Sequence, residues 1–303
     1  AAAGGRPPAG GRRLRAPPHD GIVGVLGVGD AFTERYWNAC LCIEEPSSGL
    51  RLLIDCPPAL PRVLADHRQH TGADLSVWNL DHLLLTHLHG DHCGGLEAFL
   101  FMRRFLVRKK PALYGAKEVL DPLWETRLRG GMAHLSACVP RFSPAEVDAR
   151  LQSPGLRGSA EDLNTQHQLG QWPSDASALS LSDYVDRVDL APVTDIGPLR
   201  IERRFTYHHI PTTAIRVSLA GQDRPLLAYS ADTAFDPDLI GWLAEAPLII
   251  HETNFGIHTP LAALLDLPTE VRSRMRLIHY PDLLDPDTCP IPCLREGTVL
   301  DLI

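Results

Sequence analysis

Thr86-His87-Leu88-His89-Gly90-Asp91-His92 gathers three imidazoles and a carboxylate into one short stretch, directly after the apolar run that starts at Asp81. That run, Asp81–Thr86, reads as a β-strand. His87 and His89 stand two apart at its end, so both rings project to the same side. Gly90 lets the chain turn, and Asp91 and His92 come round from the start of the next helix. Three neutral nitrogens and a carboxylate then share one small volume. Such ligands suit zinc, iron or manganese, and the absence of cysteine argues against a closed structural zinc site.

Outward from this cluster, short apolar runs alternate with longer amphipathic ones. Ile22–Leu26, Ala39–Ile43 and Leu50–Ile54 precede it as predicted strands, separated by Gly-Val-Gly-Asp and by Pro46-Ser47-Ser48-Gly49. Gly94–Lys109 follows with helical spacing, Leu96, Phe99, Leu100 and Phe105 on one face and Arg103, Arg104 and Lys109 outward. The charged residues Arg103, Arg104, Arg108, Lys109 and Lys110 therefore read as a solvated helix face. Pro140–Leu181 is polar and weakly periodic, as in a loop-rich insertion or lid. Further strands are expected at Leu199–Arg204, Ala214–Leu219, Pro225–Tyr229, Leu248–His251 and Arg276–His279, with helices at Pro237–Ala246 and Pro260–Arg274. Strands and helices alternating in two halves suggest layers of sheet and helix.

His-x-His-x-Asp-His after a strand resembles the signature of the metallo-β-lactamase-fold hydrolases. The likeness can be followed from Gly21 to Asp282. Leu26-Gly27-Val28-Gly29-Asp30-Ala31-Phe32 is similar to the Gly-rich first turn of the ribonuclease Z-like and phosphodiesterase-like branch. Leu53-Ile54-Asp55 resembles that family's buried strand-end Asp, and an Asp closing an apolar run needs a hydrogen-bonding partner in any case. His208-His209-Ile210-Pro211-Thr212-Thr213-Ala214 resembles the third motif, whose register selects His208 over His209. Tyr229-Ser230-Ala231-Asp232-Thr233 matches the bridging carboxylate with Ala231 where Gly is usual, and Leu277-Ile278-His279-Tyr280 resembles the last ligand. His251-Glu252-Thr253-Asn254 is similar to the His-Glu-Ala-Thr loop of ribonuclease Z, departing from it at Thr253 and Asn254.

The resemblance implies an α/β, four-layer αββα sandwich with a loop-rich insertion. It also implies two divalent ions, zinc first and manganese or iron as alternatives. One would take His87, His89, His208 and Asp232, the other Asp91, His92, Asp232 and His279, with Asp55 and Glu252 supporting from behind. Catalysis would then use a hydroxide held between the metals, Asp91 to orient it, and His251 to stabilise the transition state or protonate the leaving oxygen. His258 follows the His251 loop closely enough to line the pocket, and no spacing fixes its role. His19, His67, His70, His82, His134 and His167 lack ligand spacing.

The rest of the 303 residues narrows the function. Residues 1–20 are Gly, Pro and Arg with almost nothing to bury, which reads as a disordered basic tail ahead of a single metallo-hydrolase domain over 21–303. They have no apolar h-region, unlike a secretory signal. Seven scattered cysteines suit a reducing cytoplasm, and Cys289-x3-Cys293 reads as a structural pair. A net charge of −8 gives no nucleic-acid footprint. The expected insertion, 141–190, carries eight acidic residues against four arginines, a field that repels a phosphate backbone. The expected substrate is therefore a small, cyclic or nucleotide-derived phosphodiester. Nucleic acid and membranes are not expected partners, and a homodimer is left open. A carbon-centred hydrolase (lactone, thioester or amide) is the alternative, ahead of tRNA 3′-processing or iron redox chemistry.

Overall fold

The computed structural model describes residues 21–133 and 179–302, so the expected tail and most of the expected insertion lie outside the described residues. Among the described residues, thirteen strands form two sheets. The first holds β1 (Gly21–Gly27), β2 (Cys40–Glu45), β3 (Leu50–Ile54), β4 (His82–Leu84), β5 (Ala112–Gly115), β6 (Asp186–Asp189) and β13 (Val299–Leu302), in the order β13-β1-β2-β3-β4-β5-β6. The second holds β7 (Val193–Ile196), β8 (Leu199–Phe205), β9 (Thr213–Leu219), β10 (Leu227–Tyr229), β11 (Leu248–Glu252) and β12 (Met275–Ile278), in the order β12-β11-β10-β9-β8-β7.

Period-two alternation stacks these sheets. Leu41, Ile43, Leu52, Ile54 and Leu84 face Ile215, Val217, Leu227, Tyr229, Ile250 and Ile278 across one buried core. Their neighbours Cys40, Cys42, Leu53, Leu83 and Leu85 face the other way, onto the helices Leu60–Thr71 and Leu96–Phe101. On the second sheet, Ala214, Ala228, Ile249 and Leu277 face outward onto the helices Pro237–Leu243 and Leu261–Leu265. Helix, sheet, sheet and helix thus form the four expected layers.

β3 to β6 run parallel, and so do β10 to β12. The carboxyl ends of parallel strands open on one edge of the sandwich, where ligands of α/β sheets characteristically bind. Several elements differ from their sequence expectation there and elsewhere. β4 ends at Leu84, which leaves Leu85–His89 as extended loop. β6 is a paired strand of the first sheet, so residues 186–189 belong to the sheet and not to an insertion. Pro260–Arg274 is broken at Pro268 into Leu261–Leu265 and Thr269–Arg272, because proline restricts the residue before it and cannot donate.

The helix after the histidine cluster starts at Leu96, continues as a π-helical turn over Met102–Val107 and stops at Arg108, whose φ is 60°. Of its charges, Arg108, Lys109 and Lys110 are exposed as expected, but Arg103 is not. Arg103 is fully buried, donating to Val77 O at 3.0 Å, Trp78 O at 3.2 Å and Asp81 Oδ1 at 2.5 Å. A long side chain can reach past its own helix to collect such partners, which burial of a guanidinium requires. Arg104 donates to Asp183 O and Lys110 to Ser182 O, so that face clamps the segment entering β6.

Candidate metal centre

Each candidate ligand sits just past a strand end on the open edge. Thr86 is tied by its backbone N–H to Asp55 Oδ1 at 2.8 Å, and its hydroxyl donates to the Asp55 carboxylate at 2.8 Å. The hydroxyl proton being so used, Thr86 Oγ1 accepts from His87 Nδ1 at 3.0 Å. This fixes the tautomer and leaves His87 Nε2 as a lone pair aimed into the centre. Asp55 Oδ2 also accepts from His92 Nδ1 at 2.8 Å, which turns His92 Nε2 the same way. One fully buried carboxylate therefore orients two rings.

Gly90 is not required for the turn. A Cβ there would meet nothing within 4 Å, and the residue opens the short helix Gly90–Cys93 with ordinary backbone. Packing demands glycine at Gly95 instead. A Cβ on it would stand 2.1 Å from Pro57 O, where the segment after Asp55 presses against the cluster helix. Cys56 N donating to His92 O at 2.6 Å and Gly95 N donating to Cys56 O at 2.9 Å seal that approach.

His87, His89, His208 and Asp232 offer ligand atoms all within 4.8 Å of one another, and so do Asp91, His92 and His279. Asp232 lies between the two groups: Oδ2 is 3.5 Å from His87 Nε2 and 3.6 Å from His279 Nε2, and Oδ1 is 3.4 Å from His92 Nε2. Asp91 Oδ2 is 3.2 Å from His279 Nε2 and 3.3 Å from His92 Nε2. Of the adjacent histidines, His208 has a buried side chain with Nε2 3.3 Å from His89 Nδ1. His209 is exposed and touches His89 only from outside, Nε2 to Nε2 at 2.9 Å.

This arrangement suits cations. Burial opposes protonation of His279, yet the Asp232 and Asp91 carboxylates hold its imidazole up at about 9. Burial likewise opposes an ionised Asp91, and the His92 and His279 rings bring its carboxyl far below the usual range. His92 Nε2 and Asp232 Oδ1 are both buried without a hydrogen-bond partner among the described residues. Buried polar atoms left so are costly unless something satisfies them, and donors of this kind, converging in two adjoining groups, fit divalent metal ions.

Two histidines stand differently from expectation. His251 shares strand parity with Ile249, which packs on the outer helices, and not with Ile250 and Glu252. It is fully buried with Nδ1 donating to Glu252 O at 2.7 Å, and burial holds its pKa down to about 4. A ring on the far face of β11 cannot reach a reacting group, so the catalytic expectation for His251 is corrected. His258 lies beside the ligand groups instead. Its Nδ1 donates to Glu252 Oε1 at 2.9 Å and lies 4.0 Å from Asp232 Oδ2, and its ring stands 5.2 Å from His279 and 5.4 Å from His208. Glu252 Oε1 also accepts Thr233 N at 2.6 Å, so it holds the Asp232 loop and His258 together. The pattern His251-Glu252-x5-His258 was the available signal, a carboxylate followed on the same loop by a second histidine.

The family model described as anti-Pycsar protein Apyc1 matches residues 23–144 and 142–291. The anti-Pycsar protein Apyc1 of Paenibacillus sp. (strain J14) is 32% identical over 265 residues, covering 85% of this chain and 88% of that protein. The protein of the same name from Bacillus phage BSP38 is 27% identical over 272 residues, covering 88% and 91%. Among solved structures, the metallo-β-lactamase fold protein YhfI from Bacillus subtilis is similar with a TM-score of 0.64 at 16% identity, covering 93% of this chain and all of that one. The short form of human tRNase Z gives 0.57 at 16% identity, covering 93% and 99%. The fold is the metallo-β-lactamase fold.

Proposed function

The chain belongs to the anti-Pycsar protein Apyc1 family, and from that premise we propose that it hydrolyses a cyclic nucleotide phosphodiester at a centre of two zinc ions. The observation that carries this reading is Asp232, a buried carboxylate shared by two converging ligand groups at the open edge of the sheets. Ions bound there would make a water-derived nucleophile available near neutral pH and offset the charge gathering on the attacked phosphate.

The chain's own residues supply the rest. His87, His89 and His208 with Asp232 would hold one ion, and Asp91, His92 and His279 with Asp232 the other. Asp55 and Thr86 keep the His87 and His92 lone pairs forward. Asp91 orients the attacking water and accepts its proton. His258, with Nδ1 committed to Glu252, presents Nε2 as the atom that protonates the leaving ribose oxygen. The negative net charge and the acidic 141–190 segment support a small substrate over a polynucleotide. Among the described residues no helix is long and apolar enough to cross a membrane.

The test is hydrolysis of 3′,5′-cyclic nucleotides, bis-p-nitrophenyl phosphate, a lactone panel and precursor tRNA by the zinc-loaded protein. The reading expects cyclic nucleotides to be the best substrates by orders of magnitude in kcat/KM. Preference for a lactone or for tRNA would overturn it. His258→Ala is expected to lower kcat by about 100-fold or more with both ions retained.

A further inference from the structure

The loops that carry the histidines are bonded to one another beside the centre. Thr213 N donates to Thr86 O at 3.1 Å, and the Thr213 hydroxyl reaches the same oxygen at 3.3 Å. Both loops also wall a neighbouring cavity of about 250 Å3. Leu88 contributes from between His87 and His89, and Ile210 and Pro211 contribute directly after His208 and His209. With Val119 opposite, these walls are apolar. Their volume lies just under the ~300–1,000 Å3 of sites that enclose a drug-sized ligand, so the space suits one planar fragment of a substrate.

The remaining wall is the helix that begins at Lys117. Pro122 inside it lacks an N–H, and the following residues Trp124–Leu128 form a wider π-helical turn. Such turns are rare and concentrate at functional sites. Arg127 from this turn lines the cavity on the same helix as Glu118, with Thr126 Oγ1 donating to the Pro122 carbonyl at 2.8 Å. The helix's other charges pair, Lys117 with Asp121 and Arg129 with Glu125. Among the described residues neither Arg127 nor Glu118 enters an ion pair, and both are exposed at the cavity.

We propose that this cavity receives the base of the substrate nucleotide. The apolar walls hold its faces, Arg127 donates to a ring carbonyl or ring nitrogen, and Glu118 accepts from an amino or imino N–H. A nucleobase carries such acceptors and donors around its rim, where a forked cation and a carboxylate can each meet one. This rests on the cyclic-nucleotide reading above.

The test compares zinc-loaded wild type, Arg127→Gln, Glu118→Gln and the cavity-filling Thr126→Trp. Substrates are the 3′,5′-cyclic nucleotides of all four bases and a base-free ester, propane-1,3-diyl cyclic phosphate. The ratio of kcat/KM for cyclic nucleotide to that for the base-free ester is expected to fall about tenfold or more in each variant. The loss should lie mainly in KM, and preference among the four bases should flatten in the two charge variants. A calorimetric titration of metal-free protein with free nucleosides supplies a readout independent of turnover, with binding by wild type weakened in all three variants. If wild type hydrolyses cyclic nucleotides and the variants keep its ratio and base preference, the cavity is not the base site. If wild type hydrolyses no cyclic nucleotide, the reading of the reaction has failed and this assignment falls with it.

Discussion

At position 231 an alanine holds φ at 48°, in the left-handed region that costs an L-residue about 1–2 kcal/mol. Asp55 at 65° and His279 at 54° share that region, so three of the strand-end residues at the centre are bent the same way. Glycine at 231 would relieve the strain but lose a buried methyl and gain unfolded-state freedom, each worth roughly 1 kcal/mol or less. Ala231→Gly is therefore expected to move stability by no more than about 1 kcal/mol, and Ala231→Val to cost about 2 kcal/mol or more. Urea unfolding midpoints check both, and a well-tolerated valine would contradict the strain. The adjacent histidines give a second test at this scale. His208→Ala should lose an ion and cut kcat by orders of magnitude. His209→Ala should keep both ions, since its exposed ring meets His89 only from outside. The reverse pattern in elemental analysis would shift the motif by one residue.

β11 shows how strand parity decides which histidine faces the chemistry. Its face cannot be read from the sequence, because Leu248, Ile249 and Ile250 are all apolar and give no alternation. Only the packed sheet shows Ile249 and His251 turned to the helices, Ile250 and Glu252 to the inner core and the centre. His251 is then a buried neutral imidazole whose pKa falls from the ordinary 6.5 to about 4. Its lowered pKa means the folded state binds fewer protons here than the unfolded one. The stability it confers is complete above pH 6.5, declines as pH falls, and is gone below about 4. At about 1.4 kcal/mol per pH unit that is roughly 3 kcal/mol. His251→Asn should shrink the pH dependence of unfolding free energy between pH 7 and 4 by that order and leave kcat at pH 7 within a few-fold. A large loss of kcat with ions retained would restore His251 to the chemistry. Leu52–Ile54 was legible because an unbroken apolar run is buried on both faces, Leu52 and Ile54 toward the inner core and Leu53 toward the helices. β6, β7 and β13 were not, being four residues each with polar or exposed positions, and β5, though buried over Leu113–Gly115, is equally short. His258 was hidden for a different reason, since a loop closed by Asn254 N donating to Thr259 O carries it, and no periodicity marks a loop.

Across the whole molecule, the centre is where the two halves meet. His87, His89, Asp91 and His92 extend from the first sheet, and His208, Asp232 and His279 from the second, while the inner core behind them is apolar. Ions at this edge would bridge the sheets, so binding should stabilise the fold by mass action, about 4 kcal/mol when free metal is 1,000 times Kd. For a domain of this size each kcal/mol shifts Tm by roughly 2–4 °C. Chelation should therefore lower Tm by about 10 °C, reversibly on adding zinc. Asp232→Ala separates this effect from mere loss of one ligand. Its carboxylate faces His87 and His279 with one oxygen and His92 with the other, so truncation should weaken both sites together. The variant is expected to purify with well under one ion per chain and to show the Tm of chelated wild type with little further response to chelator. An Asp232→Ala protein that keeps one full equivalent of metal and half of the chelator-sensitive Tm shift would mean that the two groups bind separately, with no shared carboxylate between them.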